Sequence, residues 1–258
     1  MLFKITSYFR FLAKSTNQHG VHSPFIFNLV TKCFYAKSTK EITQLFNSYR
    51  AILLHNKNFI NVKDFGKGSK VFKSNKRQIS KIASVAGISK KRGLLLTRLI
   101  AYFSPSQILE IGTSLGIATA AMHLGNSEST IFSLEGCPNT LAVAKEQFKH
   151  HCFINTHFIE GDFKNTLSKT INSKTFDFIY IDGNHQKEPT LNYFNLVLKS
   201  IHNDSVVIFD DIHWTREMQD AWEEIKNHPK VTVTIDTYQW GFVFFRKEQV
   251  KEHFTIRI

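Results

Sequence analysis

The chain has 258 residues, 42% hydrophobic and 13% aromatic, with 24 phenylalanines, which is enough to bury a full core and excludes a disordered protein. The net charge is +12, and no apolar run approaches the ~18 residues of a membrane span. The opening MLFKITSYFRFLAKS is interrupted by Lys4 and Arg10 and lacks a small-residue cleavage site, so a cytoplasmic protein is expected.

Cys33, Cys137 and Cys152 are odd in number and form no CxxC pair, which indicates neither a disulfide framework nor a zinc site. Charge is unevenly placed: residues 1–93 hold 18 Lys or Arg against Glu41 and Asp64, whereas residues 94–258 hold 15 against 19. A basic N-terminal part (1–93, net +16) is therefore expected to precede a mildly acidic domain (94–258, net −4). A basic surface meets phosphate, nucleic acid or anionic lipid, or is simply a solvated lysine-rich face.

In the first part, SPFIFNLVTKCFYA and EITQLFNSYRAILLH space their large apolar residues as helices do, and are expected to pack against the main domain. HGVHSPFIF places His19 and His22 three apart with no carboxylate or Cys nearby, so a capped turn is favoured over a ligand pair. KDFGKGSKVFKSNKR carries six Lys or Arg and two glycines, Gly66 and Gly68, as a basic loop suited to a substrate lid or a solvated linker. IASVAGIS resembles the turn of a helix-turn-helix, with Gly87 between two helices. The second helix continues as the apolar LLLTRLIAYF and leads into a strand, which favours packing over DNA reading.

From Gln107 the pattern is strand, turn, helix, repeated. QILEIG, TIFSLEG, INTHFIEGD, FDFIYIDG and SVVIFDD read as strands, and IATAAMHLG, NTLAVAKEQFKHH and EPTLNYFNLVLKSI as the helices between them. This alternation predicts a doubly wound α/β domain with a mostly parallel sheet. VTVTID and GFVFFR are separated only by TYQW, too short for a helical crossover, so they should close the sheet of seven strands as an antiparallel hairpin.

The loops at the strand ends carry the chemistry. In LEIGTSLG, Glu110 and Gly112 end the first strand, Thr113 and Ser114 lie in the turn, and Gly116 opens the helix, so that backbone can approach a ligand closely. Glu135 ends the second strand, 23 residues after Gly112, where a carboxylate can accept both hydroxyls of a ribose. Asp162 follows the third strand, Asp182 and His185 the fourth, and Asp210 and Asp211 the fifth. Three carboxylates on one rim repel one another unless a positive charge lies among them, and all-oxygen donors suit a hard divalent cation such as Mg²⁺.

The ExGxxxG turn, with Glu135 and the closing hairpin, resembles the class I S-adenosylmethionine-dependent methyltransferases, which share this Rossmann-like fold. The resemblance implies that Glu110, Gly112, Thr113, Ser114, Gly116, Glu135 and Asp162 serve S-adenosyl-L-methionine, Asp162 through the adenine amino group. The rim is similar to metal-dependent O-methyltransferases of the catechol type and, in its D-x-x-H, to the macrocin type. That similarity implies Asp182, Asp210 and Asp211 as metal ligands and His185, beside Asp182, as catalytic base. It departs in having an Asp-Asp pair, which leaves open which member holds the metal. The expected function is O-methylation of a small hydroxylated acceptor. The alternative is a nucleic-acid-binding protein or RNA methyltransferase gripping phosphates with the basic first third.

Overall fold

The structure, a computed structural model, describes residues 2–64 and 74–258. Its elements in chain order are α1 (Leu2–Lys14), α2 (Pro24–Leu29), α3 (Lys40–His55), β1 (Phe59–Asn61), β2 (Lys76–Gln78), α4 (Ile79–Val85), α5 (Lys90–Phe103), β3 (Gln107–Ile111), α6 (Ile117–Gly125), β4 (Thr130–Glu135), α7 (Pro138–His150), β5 (Thr156–Glu160), α8 (Phe163–Ile171), β6 (Phe178–Ile181), α9 (Lys187–Val197), β7 (Val206–Asp210), α10 (Arg216–Asn227), β8 (Val233–Asp236), β9 (Trp240–Phe244) and β10 (Glu252–Thr255). They divide into two compact units, Met1–Tyr35 with Ile171–Ile258, and Ala36–Thr170. The charge boundary after residue 93 falls inside the second unit.

The second unit is built on parallel β3, β4 and β5, with Gln107 opposite Thr130 and Ile131 opposite Thr156. Ile108, Leu109 and Ile111 of β3 are fully buried, as expected of a strand covered on both faces. α5 packs on α6 and α3 through Leu95, Leu96, Leu99 and Ile100, so the helix after the Gly87 turn buries its apolar face as core. Gly93 is required there, because a Cβ would lie 2.0 Å from Cζ of buried Phe46. β1 and β2 form a two-stranded antiparallel ribbon that the sequence reading did not anticipate. Gly66 and Gly68, the hinges of the expected lid, lie outside the described residues.

In the first unit β6 and β7 are parallel, whereas β9 runs antiparallel to both β7 and β8, which is the expected closing hairpin. The strand order is β10-β8-β9-β7-β6 in this unit and β3-β4-β5 in the other, mostly parallel strands with helices on both sides and an antiparallel pair at the end. The expected sheet had seven strands. β10 is an addition to it: the strand pairs parallel with β8 and buries Phe254, with Ile256 buried just after it, two alternate residues in a segment too short to announce itself. Phe25 meets Phe244 edge-on at 5.0 Å and Phe34 meets Phe242 at 5.3 Å, so the SPFIFNLVTKCFYA segment packs on β9 as its spacing predicted.

The His19–His22 stretch forms capped turns. Asn17 Oδ1 accepts from the His19 N–H at 3.0 Å, and Ser23 caps α2. Among the described residues no cysteine is in a disulfide; Cys33 and Cys137 are buried, while Cys152 is exposed. No helix of the described residues is long and apolar enough to cross a membrane.

Candidate functional site

In the second unit, three turns follow the C-terminal ends of β3, β4 and β5, the edge at which open α/β sheets take ligands. After β3 the chain reverses through Gly112 at φ 110°, Ser114 at 49° and Gly116 at 74°, and α6 begins. At Gly116 a Cβ would also lie 2.7 Å from Tyr49 Oη, so glycine serves both conformation and space. Tyr49 Oη donates to the Leu115 carbonyl at 3.0 Å, and burial, reinforced by the charge of Glu110, pushes its pKa upward.

Glu135, at the end of β4, holds this turn. Its Oε2 accepts from the Ser114 N–H at 2.7 Å and its Oε1 from the Cys137 N–H at 2.8 Å. Burial raises its pKa, and the backbone bonds from Cys137, Ser114 and Gly136 oppose that rise without cancelling it. A carboxylate has about four lone-pair directions, so both oxygens can accept further bonds. Glu110 lies beneath, fully buried, with Oε2 accepting from Thr119 Oγ1 at 2.6 Å and from Ser133 Oγ. Ser133 Oγ also bonds Thr113 Oγ1, so Thr113 faces a buried polar network. Sequence reasoning missed Ser133 and Thr119; the alternation of TIFSLE, which points Ser133 and Glu135 the same way, was the available signal. Asp162 caps α8, its Oδ1 accepting from the Lys164 N–H at 2.9 Å.

In the first unit, the acidic rim gathers around a histidine. His185, at φ 47°, places Nε2 3.3 Å from Asp182 Oδ1. Burial alone would lower its pKa. The hydrogen bond to Asp182, with the charges of Asp182, Asp211 and Asp210, outweighs burial and raises it to about 9. The imidazolium is therefore the neutral-pH form, and His185 itself supplies the positive charge that the paired aspartates of SVVIFDD demand. Asp210 ends β7 almost fully buried, and Asp211 follows in the left-handed region at φ 56°. Asp211 is not the cap of α10; that part is taken by Thr215, whose Oγ1 accepts from the Met218 N–H at 3.2 Å.

The fit to a divalent cation is poor as these groups stand. Asp182 is turned to His185, and among the described residues no three His, Cys, Asp or Glu side chains form a group able to hold a metal. Asp182, Asp210 and Asp211 share the electrostatics of His185 without converging as ligands.

Two aromatic residues border this rim that sequence reasoning passed over. The Trp214 ring meets His185 edge-on at 5.6 Å, and Lys4 Nζ lies 5.3 Å from the Trp214 centroid. His213 Nε2 bonds Asp236 Oδ2 at 2.7 Å and its ring stacks on Tyr238 at 5.3 Å. IHW directly after the aspartates was the only local sign of either.

Residues 109–212 match the family described as "Methyltransferase domain". No curated protein matches the chain by sequence. Among solved structures, the S-adenosylhomocysteine-bound methyltransferase of Podospora anserina aligns with a TM-score of 0.60 at 15% identity, over 88% of this chain and 97% of that one. A putative caffeoyl-CoA O-methyltransferase of Staphylococcus aureus aligns with a TM-score of 0.56 at 21% identity, over 64% and 89%. An O-methyltransferase of Bacillus cereus, in complex with S-adenosylhomocysteine, aligns at 0.55 and 18% identity, over 81% and 93%. The fold is that of the class I S-adenosylmethionine-dependent methyltransferases.

Proposed function

We propose that the protein is an S-adenosylmethionine-dependent methyltransferase acting on an oxygen of a small hydroxylated acceptor. The observation that carries this reading is the Gly112–Gly116 turn tied to the Glu135 carboxylate, inside the segment that matches methyltransferase domains. The turn presents backbone without a Cβ at Gly112 and Gly116, which suits close approach of a zwitterionic amino acid moiety. Glu135 keeps acceptor capacity for a ribose diol after binding two amides, and Asp162 stands at the next strand end for the adenine amino group. Glu110 acts from below, holding Thr119 at the start of α6.

When bound, S-adenosylmethionine supplies a methyl group already activated by its sulfonium. What remains for the protein is to align the acceptor oxygen and take its proton. In this reading His185 takes the proton at Nδ1, while Asp182, accepting from Nε2–H, orients the ring and stabilises the imidazolium formed. With a pKa of about 9, His185 works from a deprotonated fraction of about 1% at pH 7. A divalent cation on Asp182, Asp210 and Asp211 is the alternative to His185 as their counter-charge. It requires those carboxylates to turn toward one another, and no step is derived through it.

The experiment is mass spectrometry of reactions with methyl-labelled S-adenosylmethionine and a panel of phenols, sugars and RNA. Label on a phenol or sugar hydroxyl supports the proposal. Label confined to RNA, or a chain that binds neither S-adenosylmethionine nor S-adenosylhomocysteine, overturns it.

A further inference from the structure

α1 has two unlike faces. On one, Ser7 and Phe11 are buried and Tyr238 pins the helix. Tyr238 Oη donates to the Lys4 carbonyl at 2.9 Å, and its ring lies 4.9 Å from that of Tyr8 and 5.5 Å from that of Phe11. On the other, Leu2, Ile5 and Phe9 recur at helical spacing as an apolar stripe, 76%, 48% and 65% exposed. Single exposed apolar residues are ordinary, but three in one stripe of a firmly held helix mark an interaction surface. The charges of the helix are Lys4, Arg10 and Lys14, all exposed, and it contains no Asp or Glu. Through Tyr35 the chain adds Lys32 and still no carboxylate.

We propose that α1 is an interfacial helix that docks on an anionic lipid surface, with Leu2, Ile5 and Phe9 in the boundary between headgroups and acyl chains and Arg10 and Lys14 on the phosphates. Charge complementarity selects this occupant. A second copy meeting the same face about a twofold axis would set Arg10 and Lys14 against their own counterparts if the helices ran parallel, and in either direction the facing helix has no carboxylate to pair them. A nucleic acid would engage the cations and leave the apolar stripe in water. Only an anionic bilayer uses both features, which is the composition of helices that lie in a membrane interface. A helix of 13 residues holds reversibly, so apolar burial and charge are both needed. Because Lys4 reaches over Trp214, and Trp214 borders His185, docking brings the acidic rim within two side-chain contacts of the lipid surface. The inference does not depend on the methyl-transfer reading.

The test is co-sedimentation of the full chain with vesicles of phosphatidylcholine alone or of equimolar phosphatidylcholine and phosphatidylglycerol. Binding is expected to the mixed vesicles only, and to weaken as salt is raised. Phe9→Asp should weaken it by about tenfold or more. Arg10→Gln and Lys14→Gln should each weaken it by about fivefold. These side chains are exposed, so the variants should keep the wild-type far-UV circular dichroism. A wild type that stays in the supernatant with mixed vesicles, or a Phe9→Asp variant that binds them equally well, overturns the proposal. So does a dimer in size-exclusion chromatography that Phe9→Asp dissociates, since a second copy would then cover the stripe.

Discussion

Replacing Glu135 by glutamine changes one atom and asks whether the carboxylate organises the cofactor turn. Its two oxygens accept from the amides of Ser114 and Cys137 at 2.7 and 2.8 Å. Glutamine has one acceptor oxygen and one donor group, so one of those amides must face an NH₂. A ribose hydroxyl that bonds the carboxylate would lose a charge-assisted hydrogen bond on the same change, which costs roughly 1.5–3 kcal/mol of binding. If the turn binds the cofactor, affinity for S-adenosylhomocysteine should fall roughly 10- to 150-fold by isothermal titration calorimetry. Stability should change less, for a reason of sign. Burial raises the pKa of Glu135, so its ionised form opposes folding at neutral pH, and that penalty is relieved as the pH falls through the raised pKa. A neutral amide escapes the penalty while losing one bond, and the two effects partly cancel in the melting temperature. Cofactor affinity should likewise weaken on acidification at a pH above the usual glutamate range, because a protonated Glu135 loses acceptor capacity. Unchanged affinity in Glu135→Gln at neutral pH would refute the assignment.

The rate of methyl transfer, read as kcat/KM, should rise about tenfold between pH 7 and 8 and level near His185's pKa of about 9; Asp182→Asn should move that inflection toward 6.5, and a flat profile above pH 7 would remove His185 as the base. The same raised pKa stabilises the fold fully below about pH 6.5 and is lost as the pH passes 9, so the melting temperature of the wild type should fall more steeply from pH 7 to 10 than that of His185→Gln. Because His185 already offsets Asp182, Asp210 and Asp211, turnover is expected to persist in excess chelator; loss that added Mg²⁺ restores would show that the three carboxylates rearrange around a cation. Gly93→Ala drives a methyl into Phe46 and should cost about 1–3 kcal/mol of stability, a drop of several degrees in the melting temperature; an unchanged melt would mean that α3 and α5 shift freely.

The alternating strands and helices, the closing hairpin and the residues at each strand end were legible in the sequence, because they depend on local period and on turn chemistry. A buried strand must be apolar along its length, and a glycine with positive φ leaves its mark wherever the chain turns sharply, as at Gly112 and Gly116. The roles of the same residues depend on what lies far along the chain, and only the tertiary structure decided those. Glu110 reads as a strand-end carboxylate, but Thr119 and Ser133 hold it inside the fold. Asp211 reads as a metal ligand, yet in the fold it adds its charge to those around His185. β10 escaped notice because two buried residues, Phe254 and Ile256, make no pattern until β8 is beside them. Sequence period reports which side of an element is dry; the charge state of His185 depends on Asp182 three residues before it and on Asp210 and Asp211 at the end of another strand, and no local pattern contains that second pair.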